Sequence, residues 1–251
     1  MKHIKRLLNA LAKRFGYRID SYDHLAKLMQ SSGCDNWLER RSLLMQARDV
    51  DCVLDVGANV GQYARSLRVN GFKGQIISFE PLKSAFEKLR GAAQHDELWR
   101  CENYALGAVD STALINVAGN SQSSSLLAMR KLHAEAAPES RYVGTETISV
   151  RRLDGVFSEL VGAHRAPYLK IDAQGYEKEV LKGGIASLPR ISLVQIEASL
   201  CSLYEGDSTI GEMLEWLRCY DFVPVSIEPG FTDQATGRQF QVDIVFWRDA
   251  T

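Results

Sequence analysis

One stretch decides the fold of this chain: Val53-Leu54-Asp55-Val56-Gly57-Ala58-Asn59-Val60-Gly61-Gln62-Tyr63. An apolar strand pattern carrying an acid runs into a short glycine-bearing loop that opens a helix. Glycine lets the backbone approach a ligand closely, and the free N–H groups of a helix start favour polar or anionic atoms. A second apolar run ends in Glu80, where a carboxylate can accept hydrogen bonds from two ribose hydroxyls. The stretch therefore predicts a nucleotide-type ligand, with an ordinary βαβ turn as the open alternative.

Composition places the chain among ordinary globular proteins. With 251 residues, 45% of them hydrophobic and 24% charged, it can form one decorated α/β domain with a buried core. The net charge of −1 provides no basic field, so we expect no nucleic-acid partner. The five cysteines form no Cys-x-x-Cys pair, which favours reduced thiols and a cytoplasmic location. No apolar run is long enough to span a bilayer.

From residue 51 onward the sequence alternates between strand and helix patterns, which predicts a parallel sheet with helices on both faces. The predicted strands are 51–56, 75–79, 98–103, 167–171, 191–196, 222–227 and 242–247. The predicted helices are 61–70, 82–90, 176 to about 187, and 209–220. The last two strands follow each other without a helix, which predicts a hairpin with one antiparallel strand. Between residues 103 and 167 the alternation breaks, and two short strands, 113–117 and 147–150, bracket a serine-rich run.

The N-terminus has a biased charge. Its first eighteen residues contain six Lys or Arg and no acid, and their apolar residues fall on one helical face. Such a helix could lie peripherally on an anionic membrane surface, or could dock on its own domain with the bases in water. Further helical patterns around 22–30 and 37–48 complete a predicted helical extension, residues 1–50, ahead of a domain over residues 51–251.

Several segments resemble one known family. The loop Gly-Ala-Asn-Val-Gly is not Gly-x-Gly-x-x-Gly, and it is closer to the S-adenosylmethionine loop of class I methyltransferases, whose sulfonium cofactor has no phosphate. Together with the block Lys170-Ile171-Asp172-Ala173-Gln174-Gly175-Tyr176-Glu177, it resembles the FkbM family of S-adenosylmethionine-dependent methyltransferases. The other matching segments are 79–81, 103–107, 123–127 and 237–247, with Leu181, Gly183, Glu197 and Asp243.

The resemblance covers about residues 51–248 and implies an α/β class I methyltransferase fold. That fold is a Rossmann-like, seven-stranded, mostly parallel sheet with helices on both faces, here with an N-terminal helical extension. The implied cofactor is S-adenosyl-L-methionine, and the implied activity is O-methylation of a hydroxyl on a carbohydrate or glycan precursor. A lipid-linked or polyketide-type acceptor and a non-catalytic cofactor-binding scaffold stay open as alternatives, as does a homo-oligomeric state.

The predicted cofactor-binding residues are Asp55, Gly57, Ala58, Asn59, Gly61, Glu80, Pro81, Asn103 and Ala105. The loop residues would lie under the methionine and ribose, and Glu80 would accept the two ribose hydroxyls. Asn103 would face the adenine edge, or would only cap the end of its strand. The Ser123–Ser125 run could bind an acceptor or the cofactor, or be a solvated loop.

Three residues are the predicted catalytic group: Asp172, Lys170 and Glu197. Asp172 follows the fourth strand and is expected to deprotonate or orient the acceptor hydroxyl. Lys170 lies two residues earlier, on the same side of the strand, and is expected to pair with Asp172 or to bind an acidic substrate. Glu197 ends the fifth strand. Glu177 either borders the same crevice or is stabilised by the dipole of the helix it begins.

No metal is predicted, because the five histidines show no ligand spacing. A divalent site formed by carboxylates of Asp172 and Glu197 is the alternative. A short-chain dehydrogenase is disfavoured, since none of the nine tyrosines has a lysine four residues later.

Overall fold

The computed structural model describes residues 37–249 of the chain. Helix α1 (Trp37–Ala47) confirms the helical pattern predicted over 37–48, and it crosses the boundary between two compact units, residues 1–43 and 44–251. The basic helix of residues 1–18 and the pattern around 22–30 lie outside the described residues. The helical extension over 1–50 therefore stays a prediction. Within residues 37–249, all strands and the other helices belong to the second unit.

Ten strands form two sheets in the second unit. They are β1 (Cys52–Val56), β2 (Gln75–Phe79), β3 (Trp99–Glu102), β4 (Ala105–Leu106), β5 (Ser111–Ala118), β6 (Tyr142–Arg151), β7 (Pro167–Ile171), β8 (Leu193–Ser199), β9 (Phe222–Pro229) and β10 (Gln241–Arg248). The main sheet has seven strands in the order β3-β2-β1-β7-β8-β10-β9. In the main sheet only β10 runs in the direction opposite to the other six strands, which confirms the predicted terminal hairpin with one antiparallel strand. A three-stranded sheet, β4-β6-β5, stands apart from it.

Helices cover both faces of the main sheet, as predicted. Helices α2 (Gln62–Val69) and α3 (Lys83–Ala93) cover one face, and α5 (Leu153–Val161), α6 (Glu177–Lys182) and α7 (Ile210–Arg218) cover the other. Helix α4 (Lys131–Ala136) packs in a separate apolar cluster with Leu203, Tyr204 and Phe240. Alternate strand residues point to opposite faces, so Leu54 joins a core with α5, α6 and α7, while Val53 joins a core with α2 and α3. The central strands β1 and β7 are buried at every position, as parallel strands covered on both faces should be.

The small sheet replaces the long loop between the third and fourth strands of the main sheet. Strands β5 and β6 pair antiparallel, and the apolar face of the pair packs Ile115, Ile148 and Val150 against Leu82 and Ala85 beside α3. The strands predicted at 113–117 and 147–150 are therefore present but longer. This anchoring holds the serine-rich run next to the end of the main sheet.

One helix was predicted too long, and helices α4 and α5 were not predicted. The helix predicted from 176 to about 187 ends at Lys182, and the Gly183 carbonyl accepts the N–H of Asp154 at 2.9 Å instead of continuing the helix. Helix α5 was not predicted, although its apolar residues form one buried stripe. Its Gly155 and short length hid the pattern.

Gly57 lies where the loop after β1 contacts the backbone that follows β7. Its φ is +74°, and an added Cβ would lie 1.8 Å from the backbone oxygen of Asp172. Gly71 also has a positive φ, +90°, but nothing lies within 4 Å of its Cβ position. We expect Gly71→Ala to cost about 1 kcal/mol of unfolding free energy, from backbone strain alone, and Gly57→Ala about 2–4 kcal/mol, from strain plus the clash. Urea unfolding of the two variants checks this, and equal losses would contradict it.

Candidate active site

A cleft opens at the carboxyl ends of the central strands, where the strand order reverses between β1 and β7. Ligand crevices of open α/β sheets form at such a point because neighbouring loops diverge there. The cleft is lined by Val56, Gly57, Asn59, Phe79, Glu80, Pro81, Leu82, Ala105, Leu106, Ile115, Ser121, Gln122, Ser124, Ser125, Leu126, Asp172, Ala173, Gln174 and Tyr176. This lining contains two acids and no Lys, Arg or His.

Glu80 is held at the cleft by two backbone donors. Its Oε2 accepts the N–H of Asn59 at 2.8 Å, and its Oε1 accepts the N–H of Leu82 at 2.8 Å. Burial raises the pKa of Glu80 to about 7, although both N–H groups favour the charged form. Each carboxylate oxygen can accept a further hydrogen bond, so Glu80 can receive two hydroxyl donors.

Asn103 supports the turn that carries Glu80. Its Nδ2 donates to the carbonyls of Glu80, at 2.9 Å, and of Pro81, at 3.1 Å. Asn103 itself is not among the residues that line the cleft, whereas Pro81 is. Its predicted contact with an adenine edge stays a prediction, and the bonds observed match the alternative of a residue that fixes the end of a strand.

The serine-rich run covers one side of the cleft. The Ser121 hydroxyl donates to Asn59 Oδ1 at 3.3 Å, and the Ser125 hydroxyl donates to the carbonyl of Gln174 at 2.7 Å. These bonds tie the small sheet to the loops after β1 and β7. The run is thus part of the wall of the cleft.

Lys170 lies between two carboxylates. Its Nζ is 3.2 Å from Asp55 Oδ1 and 3.5 Å from Asp172 Oδ2, and it sits 5.2 Å from the centre of the Tyr63 ring. Burial alone would lower the pKa of Lys170, but Asp55 and Asp172 outweigh it and raise that pKa. Asp172 is about one-third exposed, whereas Asp55 and Lys170 are buried. The Lys170 ammonium therefore contacts the Asp172 carboxylate on its buried side, away from solvent.

Gln174 joins Asp172 to Glu197. Its Nε2 donates to Asp172 Oδ1 at 2.8 Å and to Glu197 Oε2 at 2.9 Å, while its Oε1 accepts the hydroxyl of Tyr204 at 2.7 Å. Gln241 Nε2 also donates to Glu197 Oε2, at 2.9 Å. Burial, followed by the charges of Asp172 and of nearby acids, raises the pKa of Glu197 well above its ordinary value. An amide nitrogen occupies the place where a cation shared by Asp172 and Glu197 would bind.

Glu177 stabilises the loop that precedes it in sequence. Its Oε1 accepts the backbone N–H groups of Ala173, at 3.0 Å, and of Gly175, at 3.1 Å. Burial raises the pKa of Glu177 to about 7 against these donors. The carboxylate therefore fixes the turn after β7, on which Asp172 and Gln174 stand.

The predicted residues fall into two groups. Those that line the cleft are Gly57, Asn59, Glu80, Pro81, Ala105 and Asp172, and those outside its lining are Asp55, Ala58, Gly61, Asn103, Lys170 and Glu197. Asp55 is fully buried, and Gly61, with φ +84°, packs against Trp99 and Leu89. Direct cofactor contacts of Asp55 and Gly61 stay predictions. Among residues 37–249, no group of three His, Cys, Asp or Glu is arranged to hold a metal ion, and no helix is long and apolar enough to cross a membrane.

Sequence reasoning missed the residues that join the carboxylates: Gln174, Tyr204 and Gln241. Gln174 carried one usable signal, a polar side chain between Asp172 and a glycine in a strand-to-helix loop. Tyr204 and Gln241 carried none, because only the fold brings them to Gln174 and Glu197.

The family model for the methyltransferase FkbM domain matches residues 55–224, which include the first loop, Glu80 and the loop after β7. The chain belongs to the FkbM methyltransferase family. FkbM proteins are S-adenosylmethionine-dependent methyltransferases, and the cleft at the carboxyl ends of β1 and β7 is where this member can bind that cofactor.

Curated FkbM relatives match at moderate identity. The 2-O-methyltransferase NoeI of Sinorhizobium fredii is 27% identical over 179 residues, 68% of this chain and 72% of that protein. The hexuronic acid methyltransferase AglP of Haloferax volcanii is 27% identical over 161 residues, 62% of this chain and 59% of that protein. A solved fibrillarin, the pre-rRNA processing protein of Methanococcus jannaschii, aligns with a TM-score of 0.48 at 13% identity, covering 80% of this chain and 68% of that chain.

The cleft of this FkbM protein fits S-adenosylmethionine. Its lining offers Glu80 for a ribose diol, apolar side chains such as Phe79 and Leu106 for a base, and no cation that would favour a pyrophosphate. S-adenosylmethionine has a ribose and an adenine but no phosphate. The charge of the lining therefore agrees with this cofactor better than with a dinucleotide.

Glu80 predicts a pH-dependent cofactor affinity. If the ribose hydroxyls donate to the ionised carboxylate, cofactor binding lowers the pKa of Glu80 below about 7, its value in the protein without cofactor. As the pH falls below about 7, protonation of Glu80 competes with cofactor binding. The Kd for S-adenosylmethionine should therefore rise by up to about tenfold per pH unit.

Calorimetric titration between pH 5.5 and 8.5 checks this dependence. Glu80→Gln should weaken binding by about 10- to 100-fold at pH 8 and remove the slope below pH 7. Glu159→Gln, a change at an exposed ion pair with Arg100, is the matched control and should bind like wild type. A slope that survives in Glu80→Gln would assign the titration to another group.

Proposed function

We propose that this chain transfers the methyl group of S-adenosylmethionine to a hydroxyl oxygen of a carbohydrate. The observation that carries the proposal is Asp172, a partly exposed carboxylate that lines the cleft and is fixed by Lys170 and Gln174. Two relatives support it: NoeI is a 2-O-methyltransferase, and AglP is a methyltransferase of hexuronic acid, which is a sugar acid.

The cleft residues would divide the work of the reaction. S-adenosylmethionine supplies, when bound, a methyl group on a positively charged sulfur. Glu80 would hold the ribose, and the loop of Gly57 and Asn59 would lie beneath the cofactor. Asp172 would accept the proton of the acceptor hydroxyl, because a neutral alcohol is a weak nucleophile until that proton leaves. Lys170, with its Nζ 3.5 Å from Asp172 Oδ2, would hold that carboxylate in place in the cleft.

Positioning should contribute more than the base. Holding two reactants in line corresponds to effective molarities of about 10⁵–10⁸ M, whereas a positioned base supplies about 10²–10⁴-fold. The loops of this cleft suit that task because Ser125, Glu177 and Gly57 tie them to one another. A sugar in the cleft offers hydroxyls that can donate to Asp172.

Two steps test the proposal. Calorimetry of the wild-type protein with S-adenosylmethionine and S-adenosylhomocysteine should show binding that Glu80→Gln weakens. Labelled methyl transfer is then measured on a panel of methyl glycosides and on matched deoxy sugars that lack one hydroxyl each. We expect transfer to at least one glycoside and its loss in one deoxy partner. Transfer to a lipid or polyketide hydroxyl instead, with no sugar methylated, would contradict the carbohydrate assignment.

A further inference from the structure

We propose that Gln174, held by Tyr204, is a positioning residue that fixes the side chain of Asp172 for the proton-transfer step. This inference rests on the proposed function, in which Asp172 is the base. The Gln174 side chain is uncharged, and the reaction does not alter it.

The hydrogen bonds of Gln174 leave its amide one arrangement. Both donors of the NH₂ group are directed at carboxylates, Asp172 at 2.8 Å and Glu197 at 2.9 Å. The two carboxyl groups that accept from the amide assign the nitrogen to their side, and the amide oxygen accepts the Tyr204 hydroxyl at 2.7 Å. A flipped amide would set its oxygen against the two carboxyl groups and lose both bonds to them.

The backbone of Gln174 supports a role for its side chain. Its φ is +52°, in the left-handed region that is strained for a residue other than glycine and that long side chains seldom occupy. A residue kept in a strained conformation beside a cleft indicates that the side chain is needed there. The Ser125 hydroxyl stabilises this backbone geometry by donating to the Gln174 carbonyl at 2.7 Å.

Tyr204 provides a rigid support. Its ring is fully buried and packs against Gly175, where an added Cβ would lie 3.0 Å from the ring. Asp207 accepts the N–H groups of Leu203, at 2.9 Å, and of Tyr204, at 3.2 Å, and so fixes the turn that carries the tyrosine. The edge of the His133 ring contacts Tyr204 at a centroid distance of 5.2 Å. The tyrosine hydroxyl can therefore hold Gln174 in place.

The surroundings of Asp172 explain why this amide matters. The charged and titratable groups around Asp172 and Glu197 are Lys170 on β7, Asp55 on β1, Asp243 on β10, Glu177 on α6, and Tyr204. Acids outnumber the single lysine, so two carboxylates side by side would repel each other. The NH₂ group of Gln174 separates Asp172 from Glu197 and donates a hydrogen bond to each carboxyl group.

The test compares Gln174→Leu, Gln174→Glu and Tyr204→Phe with the wild type in single-turnover methyl transfer to a glycoside identified by the panel, as a function of pH. Without the Gln174 amide, the carboxylates of Asp172 and Glu197 lose the donor that they share, so the acidic limb of the rate profile should move to higher pH. We expect a shift of about one pH unit and a rate lowered about 10- to 100-fold in Gln174→Leu. Gln174→Glu should shift the limb further, because it adds a third carboxylate, and Tyr204→Phe should shift it less.

Controls separate this inference from the function on which it rests. Gln234→Leu, a change of the same kind in the connection between β9 and β10, should leave rate and profile unchanged. If Asp172→Asn slows transfer but the acidic limbs of Gln174→Leu and Tyr204→Phe match that of wild type, Gln174 has only a structural role and the inference is overturned. If Asp172→Asn does not slow transfer, the proposed base is wrong, and the inference falls with it.

Discussion

Asp172→Asn should lower the rate of methyl transfer by about 10²–10⁴-fold while the protein still binds S-adenosylmethionine. The amide keeps the size of the carboxylate but cannot accept a proton at neutral pH. The ribose contacts of the cofactor are assigned to Glu80, on the far side of the cleft, so the Kd should change by less than about threefold, which is under 1 kcal/mol. Single-turnover transfer and calorimetry on the same preparation measure the two quantities.

Comparison with Glu159→Gln shows whether the loss is specific to the cleft. Glu159 lies on α5 in an exposed ion pair with Arg100, so neutralising it should leave both rate and affinity as in the wild type. An Asp172→Asn variant that transfers methyl groups at the wild-type rate would mean that another group takes the proton. A variant that loses rate and affinity together would place Asp172 in cofactor binding.

The central strands could be predicted because their signal is local. Strands β2 and β7 match the predicted 75–79 and 167–171, and β1 differs by one residue. Each is a short apolar run bounded by polar or turn-forming residues, the pattern of a strand buried on both faces. Strand β6 could not be bounded in this way, because Val143–Thr145 are exposed and their pairing with β5 depends on contacts distant in sequence.

The site residues that directly follow strand ends could also be predicted from local sequence. Gly57, Glu80 and Asp172 follow strand ends, and the carboxyl ends of parallel strands meet at one edge of a sheet. Asp55 lies just before the loop of Gly57, within β1, and its side chain contacts Lys170, its register partner on β7. A lone acid and a lone lysine in two otherwise apolar strands was a signal for that ion pair. Tyr204 and Gln241 gave no such signal, since the fold alone brings them near.

The ion pair of Asp55 and Lys170 leads to a large expected effect on stability. Lys170→Met removes the cation that faces Asp55, which is fully buried and otherwise hydrogen-bonded only at 3.3 Å by the Ser78 hydroxyl. Burial raises the pKa of Asp55, and Lys170 opposes that rise. Breaking a buried pair leaves an uncompensated charge, so Lys170→Met should cost about 3–5 kcal/mol of unfolding free energy. Urea unfolding at pH 7.5 measures this.

The double variant Asp55→Asn/Lys170→Met decides whether that loss arises from the stranded charge. Removing both charges should recover at least about 2 kcal/mol relative to Lys170→Met, because well-packed neutral groups in place of a buried pair are often nearly neutral for stability. Lys182→Met, at a more exposed pair with Glu179, is the matched control and should cost under about 1 kcal/mol. Two results would contradict this: a loss in Lys170→Met no larger than that in Lys182→Met, or a loss in the double variant equal to the sum of the losses in its two single variants. Either would mean that Asp55 and Lys170 do not stabilise each other. The Asp172 side chain would then have to be held by Gln174 alone.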